Sequence, residues 1–296
     1  MTADRAYLLE LWNASIGERE PGARAQWLYL HGYAQRYPRS AKLRRGESLI
    51  DELSRANSGS AAWDGSWRVE WAGDDGRVLA YRQSARQWFE PGEFLTLGGP
   101  GHRAQPEDWI RVFAPRESRT LQENFYFVFG ETVSPDSAPG GLRIYWNIQQ
   151  AGAARLIAAL TRQLNRFQIP FRFKCVYNAG HFVRLDAAVL YLHRRYWPFA
   201  APLLRRVVNE VGDALEPETP LFTRPLSPGV ALAEDPPGGR SFGKNRCAVL
   251  AEAIAATPDG SEEEKLAALA AQFRTHGLTL ERPYLNAGSR DTYDFS

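Results

Sequence analysis

The stretch FRFKCVYNAGHFVRLDAAVLY, Phe171 to Tyr191, decides how the rest of the chain is read. In its first half Phe171, Phe173 and Cys175 alternate with Arg172 and Lys174. That is the period-two pattern of a strand with one apolar and one cationic face. Asn178-Ala179-Gly180 is turn chemistry. From about Arg184 the spacing of Leu185, Ala188, Val189 and Leu192 predicts a helix reaching about Tyr196. The unit reads strand–turn–helix and carries Lys174, His181, Arg184 and Asp186. A lysine on a strand beside an arginine and an aspartate is either an ion-pair network or a reaction centre, and the residues alone leave both open.

On the N-terminal side, Leu142 to Ile148 alternates as a buried strand, with Arg143, Tyr145 and Asn147 on one face. Ala151 to Phe167 is an amphipathic helix. Strand, helix, strand reads as a crossover, so the Arg143 and Lys174 strands are expected to lie parallel and adjacent, with their polar faces turned the same way. Further along come a helix over Pro202 to Leu215, an extended run Pro217 to Arg224, and a short strand Val230 to Ala233. A helix then opens at Ser241 and runs to Ala255. Its free N–H groups, with Ser241, Lys244 and Arg246 beside them, make an anion site. Residues 261–276 form a last helix with Glu262, Glu263 and Glu264 in its first turn.

The first 60 residues read as helices: an apolar stripe of Tyr7, Leu8, Leu11 and Trp12, then Ala23 to Tyr37, then Glu47 to Ala56. Residues 60–135 are strand-rich. Trp63, Trp67, Val69 and Trp71 alternate with polar residues, Asp74-Asp75-Gly76 turns the chain, and Val78 to Tyr81 returns. Ser134 to Gly140 is a linker. The expected architecture is α+β. Residues 1–140 form a helical then strand-rich region suited to peptide docking, and 141–296 form a mixed sheet flanked by helices. The aromatic run Trp63 to Phe94 is either sheet core or a surface that takes a peptide by strand addition.

An apolar fraction of 44% and a charged fraction of 24% are those of an ordinary globular protein. A net charge of +2 gives no nucleic-acid footprint. Two cysteines, Cys175 and Cys247, stand in no metal-type spacing and make no disulfide framework, which fits a reducing cytoplasm. The opening residues lack the apolar core of a signal peptide, and no run is long enough to span a bilayer. The sequence holds no G-x-S-x-G elbow, H-E-x-x-H, P-loop or kinase signature. Among the polar candidates of the second half, cations outnumber carboxylates. Arginines around one lysine suit a phosphorylated substrate, because bidentate arginine–phosphate contacts are strong and oriented. A lysine made neutral by burial and neighbouring arginines can act as a base. A base and a phosphate site together suit β-elimination from phosphoserine or phosphothreonine; a plain Lys174–Asp186 or Arg184–Asp186 salt bridge suits the same residues.

Several blocks, in this order, resemble the HopA-type effector domain. They are Arg143-Ile144-Tyr145-Trp146-Asn147; Lys174, then Phe182-x-Arg184-x-Asp186-Ala187-Ala188-Val189-Leu190-Tyr191; Pro220 to Arg224 with Gly229-Val230; Glu234-Asp235-Pro236; Ser241-Phe242-Gly243-x-x-Arg246; and Pro283 to Asn286. A tyrosine commonly stands in that family where Phe182 stands here. The domain occurs as a secreted effector of plant-pathogenic bacteria and as the stand-alone lyase of class V lanthipeptide and thioamitide pathways. The resemblance implies a phosphothreonine/phosphoserine lyase that needs no metal or organic cofactor. It would act on a precursor peptide already phosphorylated by a separate kinase. Lys174 would be the base, and Arg143, Arg184, Arg224 and Arg246 the phosphate ligands, with Ser241 and Lys244 beside them. His181, then Tyr145, would be the acid. Asp186 would orient Arg184, and Asn147 and Asn245 would hold loops or the substrate backbone. A non-catalytic effector-like or scaffold protein is the alternative. Neither nucleic acid nor membrane is expected as a partner, and a homodimer is left open.

Overall fold

The computed structural model describes residues 2–18, 20–82, 85–99, 101–132, 140–239 and 241–295. The linker expected at Ser134 to Gly140 lies outside them except for Gly140. The apolar stripe of the first helix, α1 (Thr2–Ser15), is buried to a residue: Tyr7, Leu8, Leu11 and Trp12 are at most 4% exposed. Next comes α2 (Pro21–Trp27), begun by a proline whose missing N–H costs nothing there. It runs straight into a π-helical turn, Leu28–Tyr33, where a plain helix to Tyr37 was expected. The third helix, α3, is Ile50–Ala56.

Five strands follow: β1 (Ala62–Ala72), β2 (Val78–Arg82), β3 (Ala85–Phe89), β4 (Phe94–Thr96) and β5 (Trp109–Ala114). They form one antiparallel sheet in the order β3-β2-β1-β5-β4. The period-two reading holds only at the centre of β1, because the register shifts between Asp64 and Trp67 and between Val69 and Trp71, leaving Trp63 and Trp71 exposed. Trp67, Val69, Val78, Ala80, Phe89, Ile110 and Val112 form its small core, while Trp63, Trp71, Trp88, Trp109 and Phe113 stay 41–52% exposed.

The second sheet takes β6 (Glu117–Gln122), β7 (Phe125–Phe129), β8 (Gly141–Trp146), β9 (Arg172–Val176), β10 (Ala188–His193), β11 (Arg224–Ser227) and β12 (Val230–Glu234). Their order is β11-β12-β8-β10-β9-β7-β6, and every pairing is antiparallel. Two of its strands come from before residue 140, so the sheet does not follow the division expected there. Helices α4 (Ala153–Arg166), α5 (Trp197–Val211), α6 (Phe242–Ala256) and α7 (Glu262–Thr275) complete the chain. The α+β architecture stands, but the sheet is antiparallel rather than mixed.

Two local expectations are corrected. The stretch after Arg184 is the central strand β10, not a helix. Ala188-Val189-Leu190-Tyr191-Leu192 is apolar throughout because both faces of the strand are covered. It therefore shows no polar alternation and mimics a helix stripe. The crossover partners β8 and β9 are not adjacent: β10 lies between them, antiparallel to both.

One face of the large sheet, with Ile144, Trp146, Phe173 and Leu190, packs on Leu156, Ile157 and Leu160 of α4 and Leu204 and Val207 of α5. The other face, with Tyr145, Val189 and Ala233, packs on Phe242, Cys247 and Leu250 of α6 and on Tyr33 of the π-helical turn. α2 and α7 pack on α6, and α1 packs on α7 and the π-helical turn. Both cysteines are free and buried. No helix among the described residues is long and apolar enough to cross a membrane.

Candidate active site

In an antiparallel sheet, directly paired residues share a face. Lys174 pairs with Val189, which pairs with Tyr145; Arg172 pairs with Tyr191, which pairs with Arg143. The register therefore sets Arg143, Tyr145, Arg172, Lys174 and Tyr191 side by side on the face that meets α6. Between sheet and helix lies a cavity of about 20 Å³, lined by Tyr29, Tyr33, Arg143, Tyr145, Lys174, Asp186, Val189, Tyr191, Ser241 and Gly243. That is room for about one water molecule.

Lys174 is half-buried. Its Nζ donates to Gln122 Oε1 at 3.2 Å and stands 4.1 Å from the Phe125 ring centre. Burial lowers its pKa from 10.5 to about 8; the Arg143, Arg184 and Arg172 charges push the same way, and Asp186 opposes them. Arg143 Nη2 lies 2.5 Å from Asp235 Oδ1, to which Nε also donates at 2.7 Å. Its guanidinium and that of Arg172 both approach the Tyr191 ring, at 5.2 and 4.6 Å.

The Arg184–Asp186 pair is bidentate, with Nε–Oδ1 and Nη2–Oδ2 at 2.8 and 2.9 Å. Arg184 Nη2 also donates to the Tyr29 hydroxyl at 3.2 Å. Both charged residues are under 10% exposed, and it is the carboxylate, not the guanidinium, that lines the cavity. The Tyr145 and Tyr33 hydroxyls are fully buried and act on one another, with no other hydrogen-bond partner among the described residues. Burial pushes both phenols up, so both keep their protons at neutral pH.

The N-terminus of α6 closes the site. Ser241 caps it, its Oγ accepting the Lys244 N–H at 3.4 Å. The first N–H groups of a helix have no intrahelical acceptor, so the start of α6 is electropositive. Gly243 lets α6 approach the π-helical turn: a Cβ there would lie 2.4 Å from the Tyr33 ring. The Lys244 Nζ stands 5.9 Å from the centre of the Tyr29 ring, at the rim.

The remaining candidates lie elsewhere. Arg246 is 1% exposed; it donates to the Pro283 and Leu285 carbonyls, both at 2.8 Å, and to Asn245 Oδ1 at 2.5 Å. It ties α6 to the tail, and burial lowers its pKa to about 10. Arg224 pairs with Leu232 and through it with Ile144, which puts it on the opposite face of the sheet. There it forms an ion pair with Asp291, whose other oxygen accepts from Tyr284 at 2.5 Å. Asn147 donates to the Glu218 carbonyl at 3.0 Å and holds that loop. His181 ends a 3-10 turn, Ala179–His181, away from the cavity lining; burial and the Arg184 charge hold it below the ordinary histidine pKa.

Sequence reasoning did not single out Tyr29, Tyr33, Asp235, Tyr191, Gln122 or Arg172 as site residues. Arg172 carried a signal, since its parity with Lys174 fixes its face. Tyr29 and Tyr33 arrive through a π-helical turn, a feature enriched at functional sites, but nothing local connects them to Lys174.

The chain is thus an α+β protein whose second sheet, under a helix N-terminus, presents a cationic, tyrosine-lined cavity. It belongs to the HopA1 effector protein family, whose model matches residues 116–285, more than half of the chain. Two solved structures share the fold at 17% identity. One is an effector protein from Pseudomonas syringae pv. tomato strain DC3000, with a TM-score of 0.53 over 97% of this chain and 99% of that one. The other is an effector protein from Pseudomonas syringae pv. syringae strain 61, with a TM-score of 0.52 over 95% and 98%. No curated protein matches the sequence.

Proposed function

We propose that the protein is a phosphoserine/phosphothreonine lyase. It eliminates phosphate from a peptide that a separate kinase has phosphorylated, as in lanthipeptide-like or thioamitide biosynthesis. One observation carries this reading: a lysine drawn toward neutrality shares its cavity with Arg143 and the start of a helix. With a pKa of about 8, roughly a tenth of Lys174 is neutral at pH 7. Neutral Nζ takes the α-proton of the phosphoresidue. The C–H electron pair becomes the Cα–Cβ double bond, the Cβ–O bond breaks, and phosphate leaves with that oxygen. Arg143, the free N–H groups of α6 and Lys244 stabilise the departing anion. Tyr145, whose hydroxyl is met only by that of Tyr33, supplies the proton to the leaving group; His181 does not line the cavity. The lysinium's proton then passes through solvent to the Tyr145 phenolate, so that both groups end as they began.

A second reading is favoured by the ion pairs themselves. Arg143, Arg184 and Arg224 each hold a carboxylate, and the cavity is small. A protein that binds a partner through this fold without chemistry has the same lattice. Mass spectrometry of a phosphothreonine peptide incubated with the protein alone separates the two. Loss of phosphoric acid with formation of dehydrobutyrine supports the lyase. An intact phosphopeptide, with the pathway kinase also present, refutes it. Orthophosphate with plain threonine refutes the elimination step.

A further inference from the structure

A second opening adjoins the cationic cavity. It is a cleft of about 560 Å³ where the end of the five-stranded sheet meets the large one. Phe113, Phe129 and Phe171 give it apolar walls, and Arg172, Tyr191 and Asp235 line its inner end. Tyr191 lines both spaces, and Asp235 in the cleft is the ion-pair partner of Arg143 in the cavity. The two openings are therefore neighbours that share the Tyr191 wall and the Arg143–Asp235 pair.

The charges at this junction are unequal. Asp235 is neutralised by Arg143. Arg172 is exposed, lies over the Tyr191 ring at 4.6 Å and makes no ion pair among the described residues. An unpaired guanidinium held flat on an aromatic ring is a ready partner for a carboxylate. Arg172 and Lys174 stand two residues apart on one face of β9, so their side chains leave the backbone about 7 Å apart. An extended peptide advances the same distance in two residues and also presents those side chains on one side.

We propose that the cleft binds the segment of the substrate peptide next to the phosphorylated residue. Arg172 receives an acidic side chain two residues from that residue, and a bulky apolar side chain lies against Phe113 and Phe129. The proposal rests on the lyase reading for its substrate, but binding tests it without turnover.

The probes are fluorescent phosphothreonine peptides with aspartate or lysine two residues to either side, followed by anisotropy and by elimination kinetics. The wild type should bind the aspartate peptide, on one of the two sides, about tenfold more tightly than the lysine peptide. Arg172→Glu should reverse that order. Thr132→Trp, which fills the cleft from its rim, should raise KM for peptides with a large apolar neighbour and leave kcat unchanged. Phe113→Ser, at a half-exposed position, should do the same without threatening the fold. Equal binding of the two peptides by wild type, or an unchanged order in Arg172→Glu, overturns the proposal. If no peptide is eliminated yet the anisotropy order holds and reverses, the lyase reading fails and the peptide cleft stands.

Discussion

Replacing Lys174 with methionine should end the chemistry and strengthen the fold. The folded protein holds this lysine at a pKa of about 8 against 10.5 for an ordinary one. At pH 7, below both values, that gap corresponds to about 3 kcal/mol of destabilisation as an upper figure. Methionine removes this cost. It also forfeits the contact with the Phe125 ring at 4.1 Å and the hydrogen bond to Gln122 at 3.2 Å, together worth about 2 kcal/mol. The net gain is about 1 kcal/mol, or about 2 °C in Tm for a chain of this size. The pH dependence is the sharper signature. Between about 8 and 10.5 the unfolded state binds the proton and the folded state does not. Wild-type stability therefore gains from this residue as pH rises through that window. The methionine variant has no such gain, so its advantage should be full at pH 7 and turn into a deficit by pH 10.5, where only the lost contacts remain. Urea unfolding of both proteins at several pH values measures this, and tyrosine titration, common to both, cancels in the difference. A variant less stable at pH 7, or a difference that stays constant across the window, refutes the argument. Elimination by the variant should fall about a thousandfold.

The pH–rate profile should follow the same group. Below pH 8, kcat/KM rises about tenfold per pH unit and then levels off, and the kcat profile lies further to the alkaline side because bound phosphate favours the ammonium form. A flat profile from pH 6.5 to 9 removes Lys174 as base. His181→Ala, outside the cavity lining, should leave elimination within about twofold, and a loss beyond tenfold would restore histidine as the acid. Arg224→Ala should lower stability by about 1–2 kcal/mol through the unpaired Asp291, seen in urea unfolding, with phosphopeptide affinity unchanged. A matching loss of affinity would mean that the far face of the sheet takes part in binding.

The elements most legible in the sequence are those whose two faces differ in polarity. β9 and β8 are cationic on one side and apolar on the other, and α4 alternates at helical period, so each announces its type. α7 begins with Ser261 and Glu264 in a reciprocal capping box, which the glutamate-rich first turn signals. β10 has no such contrast. It is covered by helices on both sides, every residue from Ala188 to Leu190 is buried, and its composition fits two periods equally well. β6 is hidden for the opposite reason: as an edge strand with ESRTLQ largely exposed, it shows no apolar face. Once β10 is misread, the pairing of β8 with β9 follows as an error. Their shared facing survives it, because register preserves parity through the intervening strand.

That parity is why Arg143, Tyr145 and Lys174 could be placed on one face from sequence, and its absence is why the other arginines could not. Arg224 begins a short strand whose facing is set by its pairing with Leu232, and an extended run beside prolines gives no sign of that. Tyr29 and Tyr33 reach the site only because α1, α2 and α6 pack together across the chain. Arg246 is different, since its place was readable. Ser241 is the cap, so Phe242 to Lys244 are the first three helical residues and Arg246 is the fifth. A helix concentrates its anion-binding N–H groups within the first turn. A side chain at the fifth position has already turned away, here toward the carbonyls of Pro283 and Leu285. An arginine inside a matching block is thus a candidate phosphate ligand only where strand parity or helix position aims it at the cavity. By that rule Arg143 alone of the four qualifies, Arg172 faces the neighbouring cleft, and Arg184, Arg224 and Arg246 hold the frame.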